Sequence, residues 1–155
     1  MQGYYRWPTI HGDNVVFGSE DDLWLVPAGG GVARRLTANL AITTQPFYSP
    51  DGSLIAYSGR EEGHLEVYSM PSDGGPPCRL TYLGANSTVV GWSRDGKRVL
   101  FTSDAYQPFS GTGGIVSVGL EGGLPRNEPY GLAVSITFGH DGGVAIGRHS
   151  NDPAR

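Results

Sequence analysis

The sequence contains a single lysine and a single cysteine, and it has fewer basic than acidic residues. Of its 155 residues, 11 are Lys or Arg and 15 are Asp or Glu, which gives a net charge of −4. The basic residues are scattered, with no run that could follow a phosphate backbone, so we expect no nucleic-acid partner. One cysteine excludes an intrachain disulfide and a zinc site made of several thiolates, and we interpret Cys78 as a bystander thiol.

Long apolar runs are also missing. No stretch reaches about 18 apolar residues, the length of a membrane-spanning helix, so we expect no membrane partner. The first residues, MQGYYRWPTIHGDNVVF, lack the charged and apolar segments of a secretory signal. These features predict a cytoplasmic location.

Glycine and aromatic residues are plentiful. There are 25 Gly and 11 Pro, together with 3 Trp, 8 Tyr and 5 Phe. The aromatic residues oppose disorder, and the glycines and prolines oppose helix interiors. The composition therefore predicts a folded, turn-rich, all-β protein.

Turn motifs recur at a nearly constant interval. Asp-Gly pairs begin at residues 51, 95 and 141, which are 44 and 46 residues apart, and Arg-Leu-Thr occurs at 35–37 and 79–81. Gly-Gly pairs follow alternating segments between these motifs. A period of about 45 residues built from short strands is typical of a four-stranded β-propeller blade. We expect Asp-Gly to supply positive φ in two-residue hairpins, and Ile55 and Tyr57 to share one face of their strand.

The repeat predicts one partial propeller domain over 1–155, with blades of four antiparallel strands. The approximate repeats are 4–44, 45–88, 89–134 and an incomplete 135–155. Propellers close with about four to eight blades, so three and a half blades leave sheet edges open. Either the chain is part of a longer protein, or two copies complete a ring of about six blades. We expect self-association through the open blade edges.

Several segments resemble known propeller families. SPDG at 49–52, IAYS at 55–58, EVYSMP at 66–71 and GGPPCRLT at 74–81 resemble the TolB-type, WD40-like repeat. A more specific set resembles tricorn protease homologues over nearly the whole chain. Its segments are YYRWPTIHGD at 4–13, SEDDLW at 19–24, GREEGHLEVY at 59–68, RLTYLGA at 79–85, GHDGGVA at 139–145 and DPAR at 152–155.

The resemblance implies the first half of the first, six-bladed propeller of a very large cytosolic serine-type peptidase. The chain departs from that family by stopping at Arg155, before any catalytic part. It would then be a non-catalytic scaffold and a channel or filter for peptides, serving a protease site outside the chain. Peptides or protein partners are the expected ligands. The alternative is a stand-alone TolB-like protein-interaction module.

No catalytic, cofactor-binding or metal-binding residue is predicted within the chain, and no cofactor is expected. No Gly-x-Ser-x-Gly elbow is present, and all four histidines fall near expected turns. Two acidic groups could suit a hard cation but are interpreted as solvated loops. The residues considered are His11, His64, His140 and His149, then Glu61, Glu62 and Glu66 near His64, and Glu20, Asp21 and Asp22.

The remaining candidates are loops and arginines. GTGG at 111–114 resembles a phosphate loop, but a strand follows it, so we assign it to a long inserted loop over 104–114. That loop is either a contact element or a tolerated insertion, and the sequon NST at 86–88 is read as a loop. The resemblance implies that basic residues on the propeller side anchor a substrate's C-terminal carboxylate. Arg94 and Arg98, which flank a predicted turn, are candidates for this role, but we interpret them as solvated turn arginines and assign them no site.

Overall fold

The computed structural model describes residues 4–38, 42–106 and 114–148. Within them the chain forms fifteen β-strands and one 3₁₀ turn at Asp104–Tyr106. The all-β prediction is confirmed. No helix in the described part of the chain has the length and apolar character needed to cross a membrane.

The strands group into three sheets and a hairpin, each antiparallel and in chain order. Blade 1 contains β1 (Arg6–His11), β2 (Asn14–Ser19), β3 (Asp22–Pro27) and β4 (Arg34–Arg35). Blade 2 contains β5 (Ile42–Thr43), β6 (Phe47–Tyr48), β7 (Leu54–Arg60), β8 (Glu66–Pro71) and β9 (Cys78–Arg79). Blade 3 contains β10 (Ser87–Trp92), β11 (Arg98–Ser103), β12 (Gly114–Gly119) and β13 (Gly122–Leu132), and the hairpin contains β14 (Ser135–Phe138) and β15 (Val144–Gly147).

Blade 2 is four-stranded in the same sense as its neighbours. Its first strand is interrupted, because β5 pairs with the end of β7 and β6 pairs with the beginning. The predicted architecture of four-stranded antiparallel blades, with a partial fourth blade, is therefore confirmed.

Alternation along the middle strands decides which blade each side chain contacts. In β7, Ile55 and Tyr57 share one face, as predicted. That face packs against blade 1, whereas Ala56 packs against blade 3. Successive residues of a strand point to opposite faces, so a middle blade has two buried faces. Three apolar clusters result, one between each pair of neighbouring blades and one between blade 3 and the hairpin.

The Asp-Gly turns have the predicted backbone but not the predicted length. Gly52, Gly96 and Gly142 all have positive φ, at 74°, 67° and 92°. In blade 3, however, the Ser93 N–H donates to the Arg98 carbonyl at 2.9 Å, so four residues lie inside the turn. The prediction of two-residue hairpins at these pairs is wrong. A two-residue turn occurs instead at the degenerate copy, between His11 and Asn14.

Side-chain hydrogen bonds explain the longer turns. The Asp51 carboxylate accepts from the Ser49 hydroxyl at 2.6 Å and from the Ser53 N–H at 3.1 Å. The Ser49 hydroxyl, followed by the bonds from Ser53, lowers the pKa of Asp51 to about 2. Ser93 bonds to Asp95 in the same way at 2.6 Å, and this bond lowers the pKa of Asp95. An aspartate that caps its own turn favours a wider loop.

Candidate functional site

A cleft opens where the first strands of successive blades come together. Strand β6 contacts β1 and β10, and β10 also contacts β14. The cleft between β6, β10 and β14 has a volume of about 430 Å³. Its lining includes the exposed polar residues Gln45, Thr88, Ser135 and Thr137 above the apolar Val90 and Ile136. We call this the axial cleft.

The axial cleft is uncharged. None of its described lining residues is Asp, Glu, Lys, Arg or His. Strands β10 and β14 are edge strands of their sheets, so each has one backbone edge that is not used within its own sheet. Such an edge can pair with an extended peptide through main-chain hydrogen bonds. The cleft therefore offers hydrogen bonding to a peptide, with no acid, base or nucleophile pair for cleavage among the residues that line it.

A second cleft lies between blade 3 and the hairpin, on the side of the Asp-Gly turns. It has a volume of about 550 Å³ and contains three arginines. We call it the arginine cleft, and its main lining residues are Arg94, Arg98, Arg126, Glu128, Tyr130 and Phe138.

Arg98 is fixed by the buried Ser117. Its Nε donates to the Ser117 hydroxyl at 2.7 Å, and its Nη2 donates to the Ser117 carbonyl at 2.9 Å. The Ser117 hydroxyl in turn donates to the Glu128 carboxylate at 2.6 Å. Arg126 adds an ion pair to the same carboxylate at 3.2 Å, although it is well exposed and pairs of this kind contribute little. Arg98 thus has a packing role in joining β11 to β12.

Arg94 is exposed and reaches across to the hairpin. Its Nη2 donates to the Gly143 carbonyl at 2.6 Å, and its guanidinium carbon lies 5.0 Å from the centre of the Phe138 ring. A guanidinium over an aromatic face is held by electrostatic attraction. The structure therefore brings Arg94 and Arg98 into one cleft, and of the two Arg94 is the one placed at its surface. Their role as a carboxylate anchor stays a prediction.

Two residues of the acidic groups are not solvated. Glu66 is only 2% exposed, at the start of β8. Its carboxylate accepts from the Thr81 hydroxyl at 2.5 Å and the Gly84 N–H at 3.0 Å, and it pairs with Arg79 at 3.2 Å. Burial alone would raise the pKa of Glu66, but these hydrogen bonds and the charge of Arg79 together lower it. The interpretation of Glu66 as part of a solvated loop is wrong.

The same arrangement occurs in blade 1. Asp22 accepts from the Thr37 hydroxyl at 2.8 Å and pairs with Arg35 at 2.6 Å. In each blade the threonine hydroxyl also accepts from a backbone N–H of the third strand, at 2.9 Å. We call each set of acid, threonine and arginine a fourth-strand lock. It explains the repeated Arg-Leu-Thr motif, whose function the sequence alone did not reveal.

A signal for the locks was available in the sequence. The acid precedes the threonine by 15 residues in both blades. The axial cleft gave no comparable signal. Gln45 and Thr137 belong to no motif, and Thr88 belongs only to the sequon at 86–88, whose interpretation as a loop is wrong because Ser87 and Thr88 lie in β10.

The other candidates lie apart from one another. His11, His64 and His140 are exposed in three different turns or strand ends, and His149 lies outside the described residues. Within residues 4–38, 42–106 and 114–148, no three His, Cys, Asp or Glu side chains lie together in a way that could hold a metal ion. Of the predicted 104–114 loop, 107–113, which includes most of GTGG, lies outside the described residues. Cys78 is exposed on β9.

Comparison with known proteins gives one consistent family. The family model for the tricorn protease N-terminal β-propeller domain matches residues 2–155. Tricorn protease homolog 1 of Streptomyces coelicolor is 39% identical over 137 residues, which is 88% of this chain and 13% of that relative. The chain thus spans about an eighth of the length of this curated relative.

Solved structures agree with this result. A crystal structure of the tricorn protease matches 94% of this chain and 15% of its own chain, with a TM-score of 0.83 and 28% identity. The structure of a putative TolB from Agrobacterium tumefaciens matches 90% of this chain and 52% of its own, with a TM-score of 0.75 and 26% identity.

Proposed function

This chain belongs to the family of tricorn protease N-terminal β-propeller domains, and on that premise we propose that it is the non-catalytic propeller part of a tricorn-like peptidase. It would serve as a scaffold and as a channel or filter for peptides, with the protease site outside this chain. The resemblance predicted from the sequence motifs is confirmed at the level of the family. The role as scaffold and peptide channel is our proposal. We also propose a cytoplasmic location, which cell fractionation followed by detection with an antibody to the chain would test.

The uncharged axial cleft is the observation that supports a peptide channel. Peptides share a backbone and differ in their side chains, so a conduit for many sequences should hydrogen-bond the backbone and avoid fixed charge. The exposed Gln45, Thr88 and Thr137 and the edge strands β10 and β14 meet that requirement. In the whole chain 17% of residues are charged, but the lining of the axial cleft has none. An uncharged lining would let peptides of different charge pass and would not retain those of one charge.

Binding of a short fluorescent peptide tests the axial cleft. Thr88→Arg places a long cation in the cleft and should weaken binding of a neutral peptide about tenfold, measured by fluorescence anisotropy. Asn127→Arg adds the same side chain at an exposed position of β13 and is the matched control. Equal affinities for the two variants would contradict a channel at this position.

The arginine cleft adds a second part to the proposal, a site for the carboxylate end of a peptide. Arginine binds a carboxylate through two parallel hydrogen bonds, and Arg94 lies at the cleft surface. We expect a peptide with a free C-terminus to bind more tightly than its amidated form, and Arg94→Ala to remove that difference. Lys97→Ala, which removes a cation from the same turn, should preserve it. If Arg94→Ala still binds the free-acid peptide more tightly than the amidated one, Arg94 is not the group that binds the carboxylate.

A separate experiment tests the proposal that the chain does not cleave peptides. Purified chain incubated with the same peptides should leave them intact by mass spectrometry. Peptide cleavage that follows the chain through successive purification steps would contradict it.

The likeness to TolB-type propellers supports a second candidate, a stand-alone protein-interaction module. This candidate predicts one tight partner bound on the outer surface. The Thr88→Arg substitution in the axial cleft would then leave partner binding unchanged. The peptide proposal predicts weak binding of many peptides that is lost on the same substitution.

A further inference from the structure

The three Asp-Gly turns share a sequence pattern but differ in how the aspartate is held. The turns begin at Ser49, Ser93 and Gly139, and the aspartate follows two residues later in each. Asp-Gly is a reactive pair, because the glycine has no side chain to keep its backbone nitrogen away from the aspartate carboxyl group. The reactivity of each pair therefore depends on how firmly the carboxylate and the glycine nitrogen are fixed.

The turn of blade 2 fixes its aspartate most firmly. Asp51 accepts hydrogen bonds from the Ser49 hydroxyl at 2.6 Å, from the Ser53 N–H at 3.1 Å and from the Ser53 hydroxyl at 2.8 Å. The Ser49 hydroxyl also accepts from the Leu54 N–H at 2.9 Å, so it joins the carboxylate to the start of β7. The Gly52 N–H donates to the Ser49 carbonyl at 2.9 Å. Both groups that could react are thus held in place.

The turn of blade 3 repeats this arrangement with one donor fewer. Asp95 accepts from the Ser93 hydroxyl at 2.6 Å and from the Lys97 N–H at 3.1 Å. The Ser93 hydroxyl accepts from the Arg98 N–H at 3.0 Å, and the Gly96 N–H donates to the Ser93 carbonyl at 2.9 Å. In both blades, therefore, a serine hydroxyl links the carboxylate to the next strand.

The turn of the hairpin has no such serine. Gly139 stands in its place, and among the described residues the Asp141 carboxylate accepts only from the Gly143 N–H, at 2.9 Å. The Gly142 N–H donates to the Gly139 carbonyl at 3.3 Å, a longer bond than the 2.9 Å of its two counterparts. The carboxylate and the glycine nitrogen are both held less firmly here than in blades 2 and 3.

Solvent exposure does not distinguish the three aspartates. Asp51, Asp95 and Asp141 are all exposed, although the turns of the first two are each followed by a further turn in the array. Every residue of the three turns is described. The difference in reactivity that we expect therefore comes from the hydrogen bonds inside each turn.

We propose that Asp141-Gly142 is a site of spontaneous covalent modification, at which the aspartate converts to isoaspartate through a cyclic imide. The Gly142 nitrogen attacks the Cγ of the protonated Asp141 carboxyl group, and the hydroxyl of that group leaves with the proton of the nitrogen as water. Water then opens the imide at either carbonyl. Attack at Cγ regenerates aspartate, whereas attack at the main-chain carbonyl of Asp141 gives isoaspartate, with no net change in mass. The proposal does not depend on the peptide function.

A serine hydroxyl opposes this reaction in the other two turns. Its hydrogen bond stabilises the ionised carboxylate, which is a poor electrophile, relative to the protonated form that reacts. The same bond is the main cause of the lowered pKa of Asp51 and of Asp95. It must also be broken before the carboxyl group can turn toward the glycine nitrogen.

The modification would act on the arginine cleft. Isoaspartate adds a methylene to the main chain of the turn, so it should displace the Gly143 carbonyl that now accepts from Arg94 at 2.6 Å. The hairpin side of the cleft would therefore lose one of its contacts with blade 3.

Peptide mapping of the aged, folded chain tests the proposal. Chymotryptic cleavage after Tyr48, Trp92 and Phe138 places each Asp-Gly pair on a separate peptide, and chromatography with electron-transfer fragmentation distinguishes the isoaspartyl form of each. Isoaspartate should form at Asp141 about tenfold faster than at the other two pairs, the factor that one hydrogen bond to a charged group supplies. Equal rates at all three pairs would overturn the proposal. In guanidinium chloride the three rates should become similar, and a persistent excess at Asp141 would show that the fold is not the cause.

Two reciprocal variants test the role of the serine. Gly139→Ser supplies the missing hydroxyl and should slow the reaction at Asp141 about tenfold, and the added Cβ would displace only the end of the Asp141 side chain. Ser93→Gly removes the hydroxyl and should accelerate the reaction at Asp95 by a similar factor. Gly29→Ser, in an exposed turn of blade 1 with open space around it, is the control and should change neither rate. Circular dichroism would check folding, and an unchanged rate at Asp141 in folded Gly139→Ser would overturn the proposal.

Discussion

Blades 1 and 2 hold their fourth strands with the same lock, but the two locks lie at different depths. Asp22 is 8% exposed and Glu66 is 2% exposed, while the side chain of Arg35 is 50% exposed and that of Arg79 is 26% exposed. Blade 2 is covered on both faces, and blade 1 has its described neighbour on one face only. The comparison indicates that surroundings, rather than the identity of the three groups, set the contribution of each lock.

The largest expected effect is the loss of the lock in blade 2. Glu66→Ala leaves the Thr81 hydroxyl and the Gly84 N–H without their acceptor and Arg79 without its partner. Removing one member of a buried charged pair costs about 3–5 kcal/mol, so we expect a loss of about 3 kcal/mol in the free energy of unfolding by urea. Glu62→Ala, at an exposed position in the preceding loop, is the control and should change it by less than about 0.5 kcal/mol.

A smaller loss is expected in blade 1. Asp22→Ala removes the same kind of acid, but its arginine is half exposed and can be solvated by water after the change. We expect a loss of about 1 kcal/mol in the same urea titration, in line with a part-exposed pair and one hydrogen bond. Equal losses of stability for Asp22→Ala and Glu66→Ala would contradict the interpretation that burial sets the contribution of each lock.

The third prediction concerns the slope of stability with pH. The pKa of Glu66 in the folded chain is below its ordinary value of 4.5, so the folded state binds this proton less readily than the unfolded state. Its stabilising contribution is therefore fully present above pH 4.5 and is lost as the pH falls toward the folded value. Glu66→Gln removes that titration.

Urea unfolding at a series of pH values between 6 and about 3 would measure this slope. We expect the stability of Glu66→Gln to fall less steeply in acid than that of the unmodified chain. The same slope for both would show that other carboxylates carry the acid sensitivity.

The smallest predicted effect is a gain, in the turn that precedes the blade 1 lock. Glu20 and Asp21 both have positive φ, at 51° and 65°, in a two-residue turn between β2 and β3. Such turns favour Asn-Gly, and side chains with a Cβ are strained there. The double substitution Glu20→Asn with Asp21→Gly should raise the free energy of unfolding by about 0.5 kcal/mol. A gain with no change in the Asp22→Ala loss would show that the turn and the lock of blade 1 act independently, and no gain would contradict the strain argument.

The sequence predicted the repeat well because its markers are local. Asp-Gly turns and the alternation of Ile55 and Tyr57 need only neighbouring residues, and the blades follow from them. The locks were missed because the acid is Asp in one blade and Glu in the other, although positions 22 and 66 are also 44 residues apart. Turn length was mispredicted because it depends on side-chain hydrogen bonds of Asp51 that the dipeptide alone does not show.

The two clefts could not be located from the sequence in the same way. Their walls come from different blades, so Gln45, Thr88 and Thr137 meet only after the sheets have packed. Periodicity tells which face of a strand a residue occupies, but not how far apart two blades stand. Arg94 was identified because it flanks a turn, and its contact with Phe138 depends on the packing of the hairpin.

The three apolar clusters between successive blades have a consequence for unfolding. The main contacts between blades join nearest neighbours, so local opening resembles the fraying of a one-dimensional array. Blades 2 and 3 each have a described neighbour on both sides, and opening either one requires the loss of two interfaces at once. Amide hydrogens in β7, β8, β11 and β12 should therefore exchange with solvent most slowly, and protection should decline toward β1 in one direction and β15 in the other.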